Sequence, residues 1–394
     1  MDVSSEKTLV MILCGGKGER LYPLTRDRSK PSVPFLGSYR IIDFSLSNSL
    51  NSGLKKIALL TQYKSLSLER HILYGWNIFH AESGGYIVSL PAQGRVADHW
   101  YEGTADAVFQ NIYTIQQEDP AAVLILSGDH VYRADYRKIL RYCDEKRADA
   151  VILAKTVRRS EAGRFGVVGI DRGRRIVQFL EKPKTPPSLP WDEKRTLISM
   201  GVYLFRTPAL VKALIQDAKN PASSHDFGRD IIPSLIQKSR VYAYLYDGYW
   251  EDIGTIDAYW KANMAFLDAE PPFLSGDDSW LIRTYKRQYP PSYFHQADIK
   301  NSIIGSGCRV RGALVRNSII SPGVEISPDA RIESSIIFEG SCIGRGSRLR
   351  RVIVDKFCQI PSRFQSGFRV REDRAHFMIS AAGIRVIPKN WRRE

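Results

Sequence analysis

Apolar residues recur every six positions through the last quarter of the chain, from Ile304 to Val310, Ile320 to Ile326 to Ile332, Ile337 to Ile343 to Leu349, and Val354 to Ile360. Slips of one residue separate these blocks, and Gly305, Gly307, Gly323, Gly340, Gly344 and Gly346 fall near the block ends. A six-residue period with small residues at the bends is what a parallel β-helix requires, each hexad giving one flat face and one inward aliphatic side chain. A sandwich of short strands would show alternation of period two within each strand instead. The repeat covers too few of the 394 residues to be the whole fold, and a chain of that length exceeds what one core usually serves.

Ahead of the repeat the texture differs. Thr8 to Leu13, Ile57 to Thr61, Val123 to Leu126, Ala150 to Ala154 and Ser199 to Phe205 read as strands, with Asp106 to Gln117, Asp135 to Glu145 and Pro208 to Gln216 as helices between them. Strands alternating with helices give a mainly parallel, Rossmann-like α/β sheet covered on both faces, which binds ligands at the C-terminal ends of its strands. We therefore expect a catalytic-type domain over 1–271, a linker over 272–298 rich in Tyr, Pro and charge, and a β-helix with a C-terminal tail over 299–394.

Composition narrows the classes. Apolar residues at 43% and charged residues at 25% describe a globular chain. The longest apolar runs fall far short of the ~20 residues that cross a bilayer, and the start lacks the pattern of a signal peptide; we expect a cytoplasmic protein without membrane partners. Five cysteines without a C-x-x-C pair suit free thiols in a reducing compartment, and the seven histidines show no zinc-site spacing. An excess of 57 basic over 42 acidic residues favours anionic partners. The charge is spread over both halves with no aromatic RNA-binding signature, so nucleic acid is not expected and phosphorylated small molecules are.

The first strand ends in Leu13-Cys14-Gly15-Gly16-Lys17-Gly18-Glu19-Arg20-Leu21, where glycines let backbone N–H groups approach a polyphosphate and Lys17 and Arg20 add charge. No G-K-[ST] follows and Leu21 replaces the third glycine of a dinucleotide fingerprint, so kinase and dehydrogenase readings lose weight. With Lys30-Pro31 ten residues on, the stretch G-G-x-G-x-R-L…K-P is similar to the signature of sugar-nucleotide pyrophosphorylases. Arg40 to Asn48 (R-I-I-D-F-S-L-S-N), Pro91-Ala92-Gln93, Trp100 to Ala107 (W-Y-E-G-T-A-D-A), Ser127 to His130 (S-G-D-H), Phe165-Gly166-Val167, Glu181-Lys182-Pro183, Ser199 to Tyr203 (S-M-G-V-Y), His225 to Gly228 (H-D-F-G) and Tyr249 to Thr255 (Y-W-E-D-I-G-T) follow in order. Each resembles the matching block of the glucose-1-phosphate adenylyltransferase (ADP-glucose pyrophosphorylase) family.

That resemblance implies a left-handed β-helix, Mg²⁺ as cofactor, ATP and glucose 1-phosphate as substrates, and ADP-glucose for α-glucan synthesis as product. It makes Asp129 the leading catalytic residue and, with Asp252, a metal ligand; both carboxylates suit an ion that keeps waters and phosphate oxygens. It sets Arg20 and Lys30 on the ATP phosphates. Leu13, Gly15, Gly16, Gly18, Gly103 and Thr104 would hold the nucleotide and Gln93 would read the base. Lys182 would grip the phosphate of glucose 1-phosphate, while Glu181, Ser199, Asp226 and Trp250, with Tyr101, Gly166, Tyr203 and Phe227, would meet the sugar. Attack by one anion on another asks for charge neutralisation and alignment more than for a proton-transfer base. The family also implies a homotetramer tuned by phosphorylated or carboxylated metabolites, for which Arg28, Arg40, Arg369, Arg371 and Arg374 would form the pocket. Asp27 adds a negative charge beside this cluster. Competing expectations are a non-catalytic regulatory subunit, which would lose the phosphate-binding lysines and the metal carboxylate, or a transferase using another nucleotide.

Overall fold

A computed structural model describes residues 3–80, 82, 84–92, 100–273 and 278–392. Strand β1 (Thr8–Cys14) lies between β4 (Ala122–Ser127) and β2 (Lys56–Thr61), and β2 pairs with β3 (Tyr86–Pro91), all four parallel. Beyond β4 the sheet turns antiparallel through the long β9 (Arg195–Arg206), which also carries β6 (Ala150–Arg158) and β7 (Gly166–Ile170); β8 (Ile176–Glu181) closes one edge and β10 (Val241–Leu245) pairs parallel to β6. Alternation along β1 shows why both faces are covered. Val10, Ile12 and Cys14 enter a core under α1 (Ile42–Asn51), α2 (Leu66–Gly75) and α5 (Arg137–Glu145), whereas Leu9 and Met11 enter one under α6 (Thr207–Ala218) and α7 (Ile232–Lys238).

The helix expected over Asp106 to Gln117 is two, α3 (Thr104–Phe109) and α4 (Ile112–Glu118), broken where Asn111 leaves helical geometry and its amide bonds the Ala107 carbonyl and the Tyr101 hydroxyl. Competition of a short amide with the backbone is a common cause of such breaks.

The hexads build a three-sided coil of parallel strands. Arg309 pairs with Glu325 and Glu325 with Cys342, so one coil takes 16 or 17 residues, one or two short of three hexads, which accounts for the slips in the repeat. Val310, Ile326, Ile343 and Ile360 stack inside one corner, and Ile320, Ile337 and Val354 inside another. Coil formation starts earlier than expected: Tyr293–His295 pairs with Arg309–Arg311, inside the stretch assigned to the linker. All three residues of that strand are exposed, so no inward aliphatic marked it.

On the third side, each strand carries two aliphatics in succession: Ile303-Ile304, Ile319-Ile320, Ile336-Ile337 and Ile353-Val354. The second of each pair faces into the coil. The first belongs to a ladder that the catalytic domain covers with Leu21, Phe35, Tyr259 and Phe266. Tyr259 meets Phe338 edge-on at 6.4 Å, and its hydroxyl donates to the Pro34 carbonyl at 2.6 Å. Both domains thus share one dry core. Replacing Phe338 by Ala should cost about 3–5 kcal/mol, and probes placed in either domain should report one coincident unfolding transition at a lower temperature. Two separated transitions in the unmutated protein would contradict a shared core.

Candidate active site

Two short strands position the carboxylates. After β4 the chain turns at Gly128 and Asp129 and runs back as β5 (His130–Tyr132), which pairs antiparallel with β11 (Trp250–Asp252) in the register His130 opposite Asp252. A side chain at Gly128 would meet Cys14 Sγ at 2.9 Å and the Leu13 carbonyl at 3.0 Å, so glycine alone fits this turn. The N–H of Ile253 donates to the Asp129 carbonyl at 3.3 Å, locking the two carboxylate-bearing turns together. Asp129 and Asp252, which the sequence separates widely, thereby become neighbours.

The ammonium of Lys30 bridges them, pairing with Asp129 and standing 3.4 Å from Asp252 Oδ1. Ser127 donates its hydroxyl to the other Asp129 oxygen, and His130 Nε2 lies 3.4 Å from it. Burial alone would raise the Asp129 carboxyl, but the charges of Lys30 and His130 and the hydrogen bonds from Lys30 and Ser127 outweigh it and hold it well below the usual carboxylate range. Burial would lower the Lys30 ammonium, and the two carboxylates reverse that and raise it. One carboxylate oxygen from each aspartate and one ring nitrogen of His130 lie within 4.8 Å of one another. His130 Nδ1 is buried without a partner. The donor set, hard oxygens with a cation already seated between them, fits a divalent ion such as Mg²⁺.

Beside this pair opens a cavity of about 350 Å³. Leu13, Arg20, Thr104, Ser199, Asp252 and Lys182 are among its walls, as are Gly166, Glu181, Tyr203, Asp226, Phe227 and Trp250. Their local chemistry is specific. The Glu181 carboxylate lies where a side chain at Gly166 or Gly228 would come within 3.0 or 2.9 Å of it, so two glycines make its room. Lys182 has φ +49° and extends its mostly exposed ammonium back to Glu181 at 2.8 Å. In β9 the Ser199 to Tyr203 block is a bulge, with Gly201 at φ +65° donating its N–H to the Ser199 hydroxyl. Trp250 packs on His130 and Phe165 with ring centroids 5.2 and 5.6 Å away. Phe227 stacks on Phe205 at 5.7 Å, so it is core as much as wall.

Asp226 is engaged more than a simple sugar contact would be. It accepts from the Gly228 and Arg229 N–H groups and from the Thr104 hydroxyl, and Thr104 in turn accepts from the Phe227 N–H. It caps the turn that follows it. Gly103 must be glycine here, because a side chain would meet the His225 carbonyl at 2.1 Å.

The glycine-rich loop adjoins the cavity, with Leu13 and Arg20 at its two ends on the wall. Gly18 has φ +66°, Gly16 faces open space, and Gly15 lies by Gln62 and Tyr101. Tyr101, expected on the sugar, is not among the cavity walls and stands by this loop, its hydroxyl donating to the Leu90 carbonyl at 3.2 Å. Arg20 reaches Gly254 behind Asp252. Gln93 lies outside the described residues. The sequence reading had no role for His130, Ser127, Gly128, Gly201 or Arg164, although the first three sit in or beside the S-G-D-H block. Arg164 lies over the Phe165 ring at 4.6 Å on the cavity wall, with no motif to announce it.

A second, larger cleft of about 720 Å³ opens between residues of the two domains. Arg28 and Arg40 line it as expected, but Arg369, Arg371 and Arg374 do not. Those three are exposed on or beside α9 (Val370–His376), whose Asp373 is turned inward onto Arg385 at 3.0 Å, leaving its arginines to solvent. Arg70, Lys286, Arg287, Lys356 and Lys389 supply the cleft's charge instead. Arg28 pairs with buried Asp355 at 2.8 Å while its other terminal nitrogen is buried without a partner. Burial, together with Arg28 and Arg287, pushes Arg40 down to about 10 against the opposing pull of Asp43 and Glu339. Burial, with Arg40 and Arg28, lowers Lys356 despite its partner Glu339, which is 2.7 Å away and also receives Arg287 at 3.1 Å.

A mixed α/β sheet with Asp129 just past the end of β4, set beside Asp252 of the separate β5–β11 ribbon, and a β-helix against it make up the architecture of a nucleotidyl transferase. The nucleotidyl transferase family profile matches residues 9–269, and that of the GlmU-like C-terminal hexapeptide matches 291–387. The chain is 45% identical to glucose-1-phosphate adenylyltransferase 2 of Vibrio cholerae over 98% of both chains. It is 42% identical to glucose-1-phosphate adenylyltransferase of Koribacter versatilis, over 98% of this chain and 96% of the relative, and 43% identical to that of Methylococcus capsulatus, over 97% and 93%. The chain belongs to the glucose-1-phosphate adenylyltransferase family.

Asp226→Asn should leave the melting temperature nearly unchanged, because an amide oxygen still caps the turn, whereas Asp226→Ala should lose about 1–2 kcal/mol of stability. Equal melting of the two variants would show that the cap contributes nothing.

Proposed function

We propose that the protein transfers the adenylyl group of ATP to glucose 1-phosphate, giving ADP-glucose, the activated glucosyl donor for α-glucan synthesis, and pyrophosphate. The observation that carries this reading is the convergence of Asp129 and Asp252 between a glycine-rich phosphate loop and a hydroxyl-lined cavity bearing Lys182. A phosphate oxygen of the sugar phosphate attacks the α-phosphorus, an O–P bond forms, and the bond to the β-phosphate breaks as pyrophosphate leaves. Mg²⁺ bound by Asp129 and Asp252 would offset the charge of the reacting phosphates. Arg20 and Lys30 neutralise the leaving pyrophosphate, and Lys182 aligns the attacking phosphate. Lys182 rests its ammonium on Glu181 at 2.8 Å, so the sugar phosphate would take over a charge already placed on the cavity wall. Arg20, Lys30, Asp129, Lys182 and Asp252 are all present, which speaks against a non-catalytic subunit.

Pyrophosphate release should be measured with glucose 1-phosphate and each of ATP, UTP, dTTP and GTP. ATP should be preferred, and a preference for another nucleotide would overturn the assignment. Lys182→Ala should raise KM for glucose 1-phosphate at least about tenfold, the worth of a charged hydrogen bond, with little change in KM for ATP. Equal effects on both would place Lys182 outside the sugar-phosphate site.

The interdomain cleft would hold an anionic effector, since its crowded cations are short of counter-charge. Asp27 and Glu339 on its walls favour a monophosphate or a carboxylated metabolite over a sugar bisphosphate. Titration of the rate with a sugar bisphosphate, a sugar monophosphate, pyruvate and phosphate tests this, and Arg40→Ala should blunt the response. A flat response to all four would make the cations a solvated surface. A cytoplasmic homotetramer completes the reading. No helix among the described residues is long and apolar enough to cross a membrane.

A further inference from the structure

We propose that Lys30 holds the divalent-cation site shut, and that the site opens to a metal ion only when nucleotide phosphates draw the Lys30 ammonium away. The inference rests on the reading of Asp129 and Asp252 as the metal-holding pair.

The Lys30 ammonium occupies the space between the two carboxylates, paired with Asp129 and 3.4 Å from Asp252 Oδ1, on a side chain that is 11% exposed. The other Asp129 oxygen accepts the Ser127 hydroxyl. Three of the four carboxylate oxygens, both of Asp129 and Oδ1 of Asp252, are therefore already engaged by donors of the protein. An ammonium has three donors and no acceptor, so it cannot share a metal's coordination shell as a ligand. Charge opposes coexistence as well. Two carboxylates and one ammonium leave a single net negative charge, and a divalent ion added to an unmoved Lys30 would make this partly buried cluster positive. Departure of the ammonium favours entry of the ion.

Lys30 is built to move. Its backbone is fixed in the buried turn Lys30–Ser32, but the charge sits on a flexible four-carbon stem. That stem lies under the phosphate loop, 3.3 Å from where a side chain at Gly18 would begin, and at Gly16 the same loop faces open space. A polyphosphate seated on the loop would offer the ammonium new anionic partners and leave the carboxylates vacant. Nucleotide and metal then bind with positive coupling, each strengthening the other by the same factor.

Mn²⁺ alone, with no nucleotide, is the probe, and its binding is counted by the loss of the free-ion electron paramagnetic resonance signal. The unmutated protein should bind it weakly at this site. Lys30→Gln should bind it tighter by roughly tenfold or more, within the usual range of coupling between sites, although its turnover collapses. Lys30→Arg, which keeps the charge, should stay weak. Loss of a merely structural residue would not raise affinity for an ion, and a variant that had unfolded could not do so; Lys30→Met provides a second neutral side chain of similar length. Adding Asp129→Asn to Lys30→Gln should abolish the gain. If Lys30→Gln binds Mn²⁺ no tighter than the unmutated protein while Asp129→Asn weakens binding, the metal pair stands and the closing role of Lys30 is overturned. If Mn²⁺ affinity ignores Asp129→Asn and Asp252→Asn alike, the metal reading itself fails.

Discussion

The outward isoleucine ladder of the β-helix is the surface on which the catalytic geometry rests. Ile319, Ile336 and Ile353 face away from the coil's own interior and would be exposed if the domain stood alone. Covering them draws Leu21, Phe35, Tyr259 and Phe266 into one core, and that core also contains Val131 and Ile253. Val131 follows His130 in β5, and Ile253 follows Asp252 at the end of β11. The ribbon that presents His130 and Asp252 to the cavity therefore presents its opposite side to the β-helix. Burial of apolar surface, which is non-directional, here fixes the direction of the Asp252 carboxylate and the His130 ring through a strand's alternation.

Charge is arranged on the same principle of mutual compensation. Lys30 between Asp129 and Asp252 and Arg28 on Asp355 are partly or fully buried pairs that tie segments far apart in sequence, and Lys356 on Glu339 ties one coil to the next. Breaking one partner of such a pair is costly because the other is left as an uncompensated buried charge. In the carboxylate site the pairing is balanced closely enough for a substrate anion to exchange with it. In the interdomain cleft it is not balanced, and the surplus of cations points to an anionic ligand. Arg28 and Asp355 come from different domains, so an anion bound there would bear directly on the contact between them.

Much of the fold was legible in the residues. The six-residue period required a coil because a parallel β-helix alone repeats at that interval, and even its slips follow from coils of 16 or 17 residues. The strand pattern of the first half required a covered sheet, since Leu9 to Cys14 is apolar throughout rather than alternating. What failed did so where local signal is absent. The first coil strand was missed because its side chains are exposed. The cleft's Arg287 and Lys356 were missed because nothing local distinguishes one basic residue from another on a polar stretch, and the tail arginines were taken from the family resemblance, which sets an effector where N-terminal basic residues meet the C-terminal domain.

The ordered blocks of sequence named most of the residues that the structure gathers around the two carboxylates and the cavity, because the chemistry of phosphates and hydroxyls admits few side chains and glycines are forced where backbone must come close. Sequence also held the doubled isoleucines of the third coil face, from which a buried outer surface follows once the coil is known. Only the tertiary structure decided what stands next to what. The register of β5 on β11 sets Asp252 beside Asp129, the packing of α9 turns its arginines to solvent, and Asp226 becomes a cap joined to Thr104 instead of a free carboxylate. Each of these depends on contacts between residues distant along the chain, and those contacts arise from burial of apolar area, to which no single residue's identity assigns a partner.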